Sequence, residues 1–94
     1  DLRKDSKTFG QWESLKLTSD QGNMFWVPCG FGHAFLSLED DTIFSYKCTE
    51  VYNPNHEVCV KYNDEKIGLR LPADILVSDK DQRGISLKEY FNLW

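Results

Sequence analysis

Apolar and polar residues alternate along two stretches of this chain. Over residues 42–49, Phe44, Tyr46 and Cys48 share one parity and Ile43, Ser45 and Lys47 the other. β-Branched and aromatic residues at a period of two predict a strand. Residues 33–38 alternate in the same way, His33, Phe35 and Ser37 against Ala34, Leu36 and Leu38. Shorter strands are expected at residues 13–17, 24–27, 58–62 and 75–77. The runs Asp20-Gln21-Gly22-Asn23, Pro28-Cys29-Gly30, Asn53-Pro54-Asn55 and Asn63-Asp64 supply turns between them. One helix is expected near the end. Ser86-Leu87-Lys88-Glu89 has the form of a capping box, the Ser oxygen accepting from a first-turn N–H and the Glu reaching back. Leu87, Tyr90 and Trp94 would share its apolar side. Many short strands with one late helix predict an all-β sandwich or barrel.

The two best strands also predict a register. If residues 38–41 form a four-residue hairpin loop, Ser37 faces Thr42, Phe35 faces Phe44 and His33 faces Tyr46. Opposed residues point to the same side of a sheet with Cβ atoms about 4.5–5.5 Å apart. A slip of one residue would send the imidazole and the phenol to opposite faces. Two readings of the pair stay open at this point. It is a buried, mutually hydrogen-bonded pair that fills a core. Alternatively it is a polar site, where a phenol of free pKa about 10 donates a proton and a histidine binds or polarises an oxygen.

Composition narrows the field. With 94 residues, 40% hydrophobic and 28% charged, the chain suits one small soluble domain. Its formal charge of −4 comes with no basic stripe, which argues against nucleic acid as a partner. A local basic cluster would still serve a small phosphorylated ligand. Apolar runs of a few residues fall short of the roughly 20 needed for a membrane span, and no secretion signal is visible. Cys29, Cys48 and Cys59 have no C-x-x-C spacing and are expected as reduced thiols, packed as small hydrophobes in a cytoplasmic protein. A zinc site from Cys29, His33 and a second Cys lacks the usual ligand spacing, and no metal is expected.

A resemblance then adds a function. Trp26-Val27-Pro28-Cys29-Gly30-Phe31-Gly32-His33-Ala34-Phe35 resembles the W-[IV]-P-x-G-F-x-H-G-F segment of the dTDP-4-dehydrorhamnose 3,5-epimerases. Asp1-Leu2-Arg3-Lys4, Ser6 and Thr8-Phe9-Gly10 resemble that family's D-[IL]-R-x-x-S-P-T-F-G. Tyr46-Lys47, Tyr52-x-Pro54 with Glu57, Asn63-Asp64, Ile67-Gly68, Pro72 and Ser78-Asp79-Lys80-Asp81 follow in the family's order. The resemblance implies a cupin-type jelly-roll β-barrel, with residues 1–94 as the C-terminal portion of a single domain ending in one short helix. It also implies a cytoplasmic homodimer that needs no cofactor and acts on a nucleotide sugar in dTDP-rhamnose and polysaccharide biosynthesis. A cupin metal would call for a paired H-x-H, which is absent.

The chemistry of such an enzyme explains the residue types. The sugar's C4 ketone acidifies the hydrogens on C3 and C5. A base removes one, charge spreads onto the carbonyl oxygen, and an acid returns a proton to the opposite face. By resemblance Tyr46 is the acid, and Asp81 is the carboxylate that orients and charges the base histidine. His33 contacts the sugar, Tyr52 and Glu57 border the nucleotide, and Lys80 contributes to substrate binding. The chain also departs from the family. The family's base lies in R-G-L-H, a motif not found here, where the histidines are His33 and His56. His56 reads as a surface-loop residue beside Asn53-Pro54-Asn55. Ala34 replaces the usual Gly, Val51 stands where an aromatic residue is usual, and Tyr62 and Leu71 stand where Trp is common. Val51 cannot supply an aromatic stacking face to a nucleotide base. The alternative to an epimerase is a catalytically inactive cupin that binds a nucleotide sugar or a partner.

Overall fold

The structure is a computed structural model and describes residues 1–93. The apolar position at Trp94 expected for the last helix lies outside the described residues.

The β-barrel is not what forms. Among the described residues there is no sheet, and the one backbone pairing of β type is an isolated parallel bridge between Val60 and Ile85. Apart from residues 58–62, which carry that bridge, the segments expected as strands make no ladder hydrogen bonds. Strand propensity is realised only when a pleated face packs against something. Here neither face of the 33–46 hairpin is covered: Phe35 and Phe44 are exposed on one side and Leu36 and Ile43 on the other. Leu87, 5% exposed, is the one buried hydrophobic side chain among the described residues. The thiols depart from expectation for the same reason, since Cys29 and Cys48 are exposed and only Cys59 is partly packed.

Order comes instead from three local devices. The first is a polar knot at the start of the chain. The Asp1 carboxylate accepts from the Arg3 backbone N–H at 3.0 Å, from the Arg3 guanidinium at 3.0 and 2.9 Å, and from the Ser6 and Thr8 hydroxyls at 2.5 and 2.6 Å. The D-L-R-x-x-S-x-T run is therefore a self-satisfying hydrogen-bond cluster around one buried carboxylate, as buried charge requires. The knot leans on the turn at residues 28–32. The Leu2 N–H donates to the Gly30 carbonyl at 3.0 Å, and the Arg3 guanidinium lies 4.8 Å from the Phe31 ring centroid. Gly30 has φ +85°, and a Cβ there would sit 2.5 Å from the Arg3 side chain, so glycine is required on both counts.

The second device is a clasp between residues 59–61 and 84–85. Ile85 donates to the Cys59 carbonyl and accepts from the Lys61 N–H, both at 2.8 Å. Gly84 makes the clasp possible, because a Cβ on it would lie 2.8 Å from the Lys61 nitrogen.

The third device is the pair of short helices, α1 (Asp79–Gln82) and α2 (Leu87–Phe91). The capping box expected at Ser86 and Glu89 is present at the start of α2. Helix α1, unforeseen, opens on Ser78, whose hydroxyl accepts from the Asp81 N–H at 3.2 Å. Phe91 on α2 meets Phe9 edge-on at 5.3 Å, which joins the N-terminal knot to the C-terminal helix.

Asp64 adds a second cap to α2, accepting from the Leu87 N–H at 2.8 Å and the Lys66 N–H at 2.9 Å. These bonds, that from Leu87 foremost, hold its carboxyl below the usual range. Glu89 is lowered too, chiefly by the Ser86 backbone N–H. A carboxyl depressed by folding stabilises fully above its unfolded pKa and loses that contribution as pH falls through the folded value. Acidification below about pH 4 should therefore shift the Leu87 and Ser86 amide resonances. In Asp64→Asn the Leu87 step should vanish while the Ser86 step, which follows Glu89, persists. A Leu87 step retained in the variant would contradict the assignment.

Candidate functional site

Side chains, not backbone, set the hairpin register. The Ser37 and Thr42 hydroxyls lie 2.8 Å apart, and both reach the Glu39 carbonyl, at 2.8 and 2.7 Å. Asp41 turns the chain with φ 58°, a conformation that Asp tolerates better than most residues. Beyond them the Phe35 and Phe44 rings stack at 3.9 Å and 11°. His33 and Tyr46 come next, with ring centroids 6.4 Å apart. The imidazole and phenol thus share a side above an aromatic floor. They lie on an open face, with Tyr46 65% exposed, and not in a filled core.

A second cluster gathers Tyr52, Glu57, Lys80 and Asp81. It is built by the 3-10 turn Pro54–His56 and by α1. Asn53 caps that turn by accepting from the Asn55 N–H at 3.0 Å, and His56 is exposed on it. Glu57 follows, and its carboxylate meets the Lys80 ammonium at 2.8 Å and the Tyr52 hydroxyl at 3.5 Å. The Glu57 hydrogen bond raises the Lys80 pKa, so the ammonium stays charged. The neighbouring Asp81 accepts from the Cys59 thiol at 3.5 Å. An open groove of about 450 Å³ runs beside these groups, lined in part by Glu57, Cys59, Lys80 and Arg83. It pairs one carboxylate with two cations and an apolar wall from Val58 and Ile85.

The expected site residues thus fall into two groups. Among the described residues no hydrogen bond, ion pair or ring contact joins His33 and Tyr46 to the Glu57 cluster. Cys59 and Arg83 are additions that sequence reading missed. The contact from position 59 to 81 spans 22 residues, and no local pattern signals it. Burial, and then the Asp81 hydrogen bond, push the Cys59 thiol up. Alkylation near pH 8 should therefore modify Cys29 and Cys48 before Cys59, read by mass spectrometry. Asp81→Asn should speed the Cys59 reaction only in part, because burial is the larger cause. Equal rates at all three thiols in the unmodified chain would contradict this.

The family model for dTDP-4-dehydrorhamnose 3,5-epimerase matches residues 1–89. The chain belongs to the dTDP-4-dehydrorhamnose 3,5-epimerase family. The chain is 39% identical over 93 residues to the dTDP-4-dehydrorhamnose 3,5-epimerase of Methanothermobacter thermautotrophicus, covering 95% of this chain and 50% of that protein. It is 37% identical to the Escherichia coli K12 enzyme of the same name, over 99% of this chain and 51% of the relative. A Streptomyces protein named dTDP-4-dehydro-6-deoxyglucose 3-epimerase is 38% identical, over 93% of this chain and 45% of its own length. The chain spans about half the length of the curated relatives it matches. No solved structure matches it significantly. No helix among the described residues is long and apolar enough to cross a membrane.

Proposed function

We propose that residues 1–94 are the C-terminal portion of a nucleotide-sugar epimerase domain, which inverts carbons next to the C4 ketone of a dTDP-4-keto-6-deoxy-hexose. The observation that carries the reading is the family match along residues 1–89, with His33 and Tyr46 set on one side of the hairpin. Tyr46 is the acid that protonates the carbanionic carbon from the face opposite the base. His33, one residue pair along, binds the sugar. Asp81 orients the imidazole base, which the rest of the domain contributes. Tyr52, Glu57 and Lys80 border the nucleotide, the Lys80 charge offsetting diphosphate. The reaction is proton transfer throughout, with neither redox change nor group transfer, and the chain's part in it uses no cofactor.

The working protein is a cytoplasmic homodimer serving dTDP-rhamnose and polysaccharide synthesis. The relatives differ by name in whether C3 alone or both C3 and C5 invert, and this chain's Tyr46 serves either outcome. The matches do not favour the alternative of an inactive sugar-binding cupin. The test is product analysis by NMR after dTDP-4-keto-6-deoxyglucose is incubated with a protein in which the chain is joined to the rest of the domain. Inverted C3, alone or with C5, is expected. Unchanged sugar from a folded protein would overturn the reading.

A further inference from the structure

Helix α1 is a single turn, and it carries two residues of the proposed site, Lys80 and Asp81. One turn of helix has little stability of its own, because the cost of nucleation is not yet offset by further hydrogen bonds. The direction of the Asp81 carboxylate therefore depends on what holds it from outside the turn. The Ser78 hydroxyl accepts from the Asp81 backbone N–H, which fixes the start of the helix but not the side chain.

The outside hold comes from residues 57 and 59, which reach consecutive residues of α1. Glu57 meets the Lys80 ammonium at 2.8 Å, and the Cys59 thiol donates to Asp81 Oδ1 at 3.5 Å. Among the described residues that thiol is the one hydrogen-bond donor to the Asp81 carboxylate, and Oδ2 accepts none. The Val60 carbonyl is the thiol's other acceptor within reach, but it is farther, at 3.9 Å, and uncharged. Cys59 is itself anchored by its backbone. Its carbonyl accepts from the Ile85 N–H at 2.8 Å, and a Cβ on Gly84 would lie 3.1 Å from the same oxygen. A thiol one torsion away from an anchored backbone has few places to go. Burial first, and then the Asp81 hydrogen bond, keep it protonated, so it stays a donor. Glu57 and Lys80 are the other charged groups that act on it.

We infer that Cys59 is a positioning residue for the epimerisation: its thiol fixes the Asp81 carboxylate through Oδ1 and leaves Oδ2 to pair with the base imidazole. The inference rests on the proposed role of Asp81 and adds the residue that sets its geometry. Without the thiol the carboxylate turns among three staggered rotamers, which lowers the population of the productive one about threefold.

The test places Cys59→Ala and Cys59→Ser both in the 94-residue chain and in the protein that joins it to the rest of the domain. In the isolated chain, side-chain coupling constants read the Asp81 rotamer. One rotamer should dominate in the parent, Cys59→Ala should average, and Cys59→Ser, which keeps a donor, should fall between. Amide protection at Lys61 and Ile85 should match the parent in both variants. In the joined protein Cys59→Ala should lower kcat by about three- to tenfold at unchanged KM, the range of one hydrogen bond. The imidazole, less firmly paired with its carboxylate, should lose its proton at lower pH, so the acid limb of the rate profile moves down. Cys59→Ser should restore part of both.

A parent-like Asp81 rotamer in Cys59→Ala overturns the inference. So does a fall in kcat with the acid limb unmoved, or loss of protection at Lys61 and Ile85 in both variants, since Cys59 would then act only through the clasp. If the joined parent makes no epimer, the proposed function falls, and the Asp81 rotamers of the isolated chain still decide whether Cys59 holds the carboxylate.

Discussion

Tyr46→Phe, in a protein that carries the rest of the epimerase domain, should lower epimer formation by about 10²–10⁴-fold, the usual range for a positioned acid. It should go on exchanging the C3 hydrogen with solvent. The split follows from geometry. Inversion needs two groups on opposite faces of one carbon, and the phenol is the proposed acid. Removing its oxygen leaves the base free to take the C3 hydrogen and return a solvent proton to the same face. The substituted ring keeps its place beside Phe44, 5.8 Å away between centroids. With Tyr46 mostly exposed, the loss in stability should stay within about 0.5 kcal/mol. NMR of the sugar in deuterated water reads both quantities at once. Undiminished epimer formation would remove Tyr46 from the acid role, and loss of exchange along with inversion would point to a binding role instead.

Gly84→Ala should have the largest structural effect, weakening the C-terminal clasp by about 1–3 kcal/mol, as overpacking does. The new methyl would sit 2.8 Å from the Lys61 nitrogen and 2.9 Å from the Val60 carbonyl carbon. Both neighbours are backbone and cannot swing aside as a side-chain end can. Separation of the two segments strains the hydrogen bonds between Ile85 and both Cys59 and Lys61. It also moves Cys59 away from Asp81, so the Cys59 thiol should alkylate faster. Amide exchange at Lys61 and Ile85 checks the effect, and protection equal to that of the parent chain would contradict it.

The parts of this structure legible in the sequence are those fixed by neighbours in the chain. The capping box at Ser86 and Glu89 needs a span of three residues, and it forms. The register that opposes His33 to Tyr46 follows from a loop only four residues long, and the Ser37–Thr42 and Phe35–Phe44 contacts obey it. Pattern alone could not decide whether those extended segments become a sheet. Alternation describes which side chains share a face, whereas a ladder needs a face buried against something. The residues of the hairpin find no such cover among the described residues, and the barrel expected from resemblance does not form there.

Distance in sequence hid the rest. Glu57 and Lys80 stand 23 positions apart, and their ion pair depends on α1, which sequence reading passed over. Ser78 followed by acidic Asp79 and Asp81 is an N-cap signal. The D-L-R-x-x-S-x-T run was visible as a motif, but its role was not. Its polar residues satisfy one another around the Asp1 carboxylate, and its chemistry is structural.

In the proposed division of labour this chain supplies the proton donor for inversion, and the proton acceptor comes from elsewhere in the domain. Solvent-deuterium incorporation at C3 and C5 of dTDP-4-keto-6-deoxyglucose measures it most directly. The account predicts no incorporation above background with the 94-residue chain alone, and incorporation once the chain is joined to the rest of the domain. Exchange catalysed by the isolated chain would contradict it, because a group among these residues would then be acting as the base.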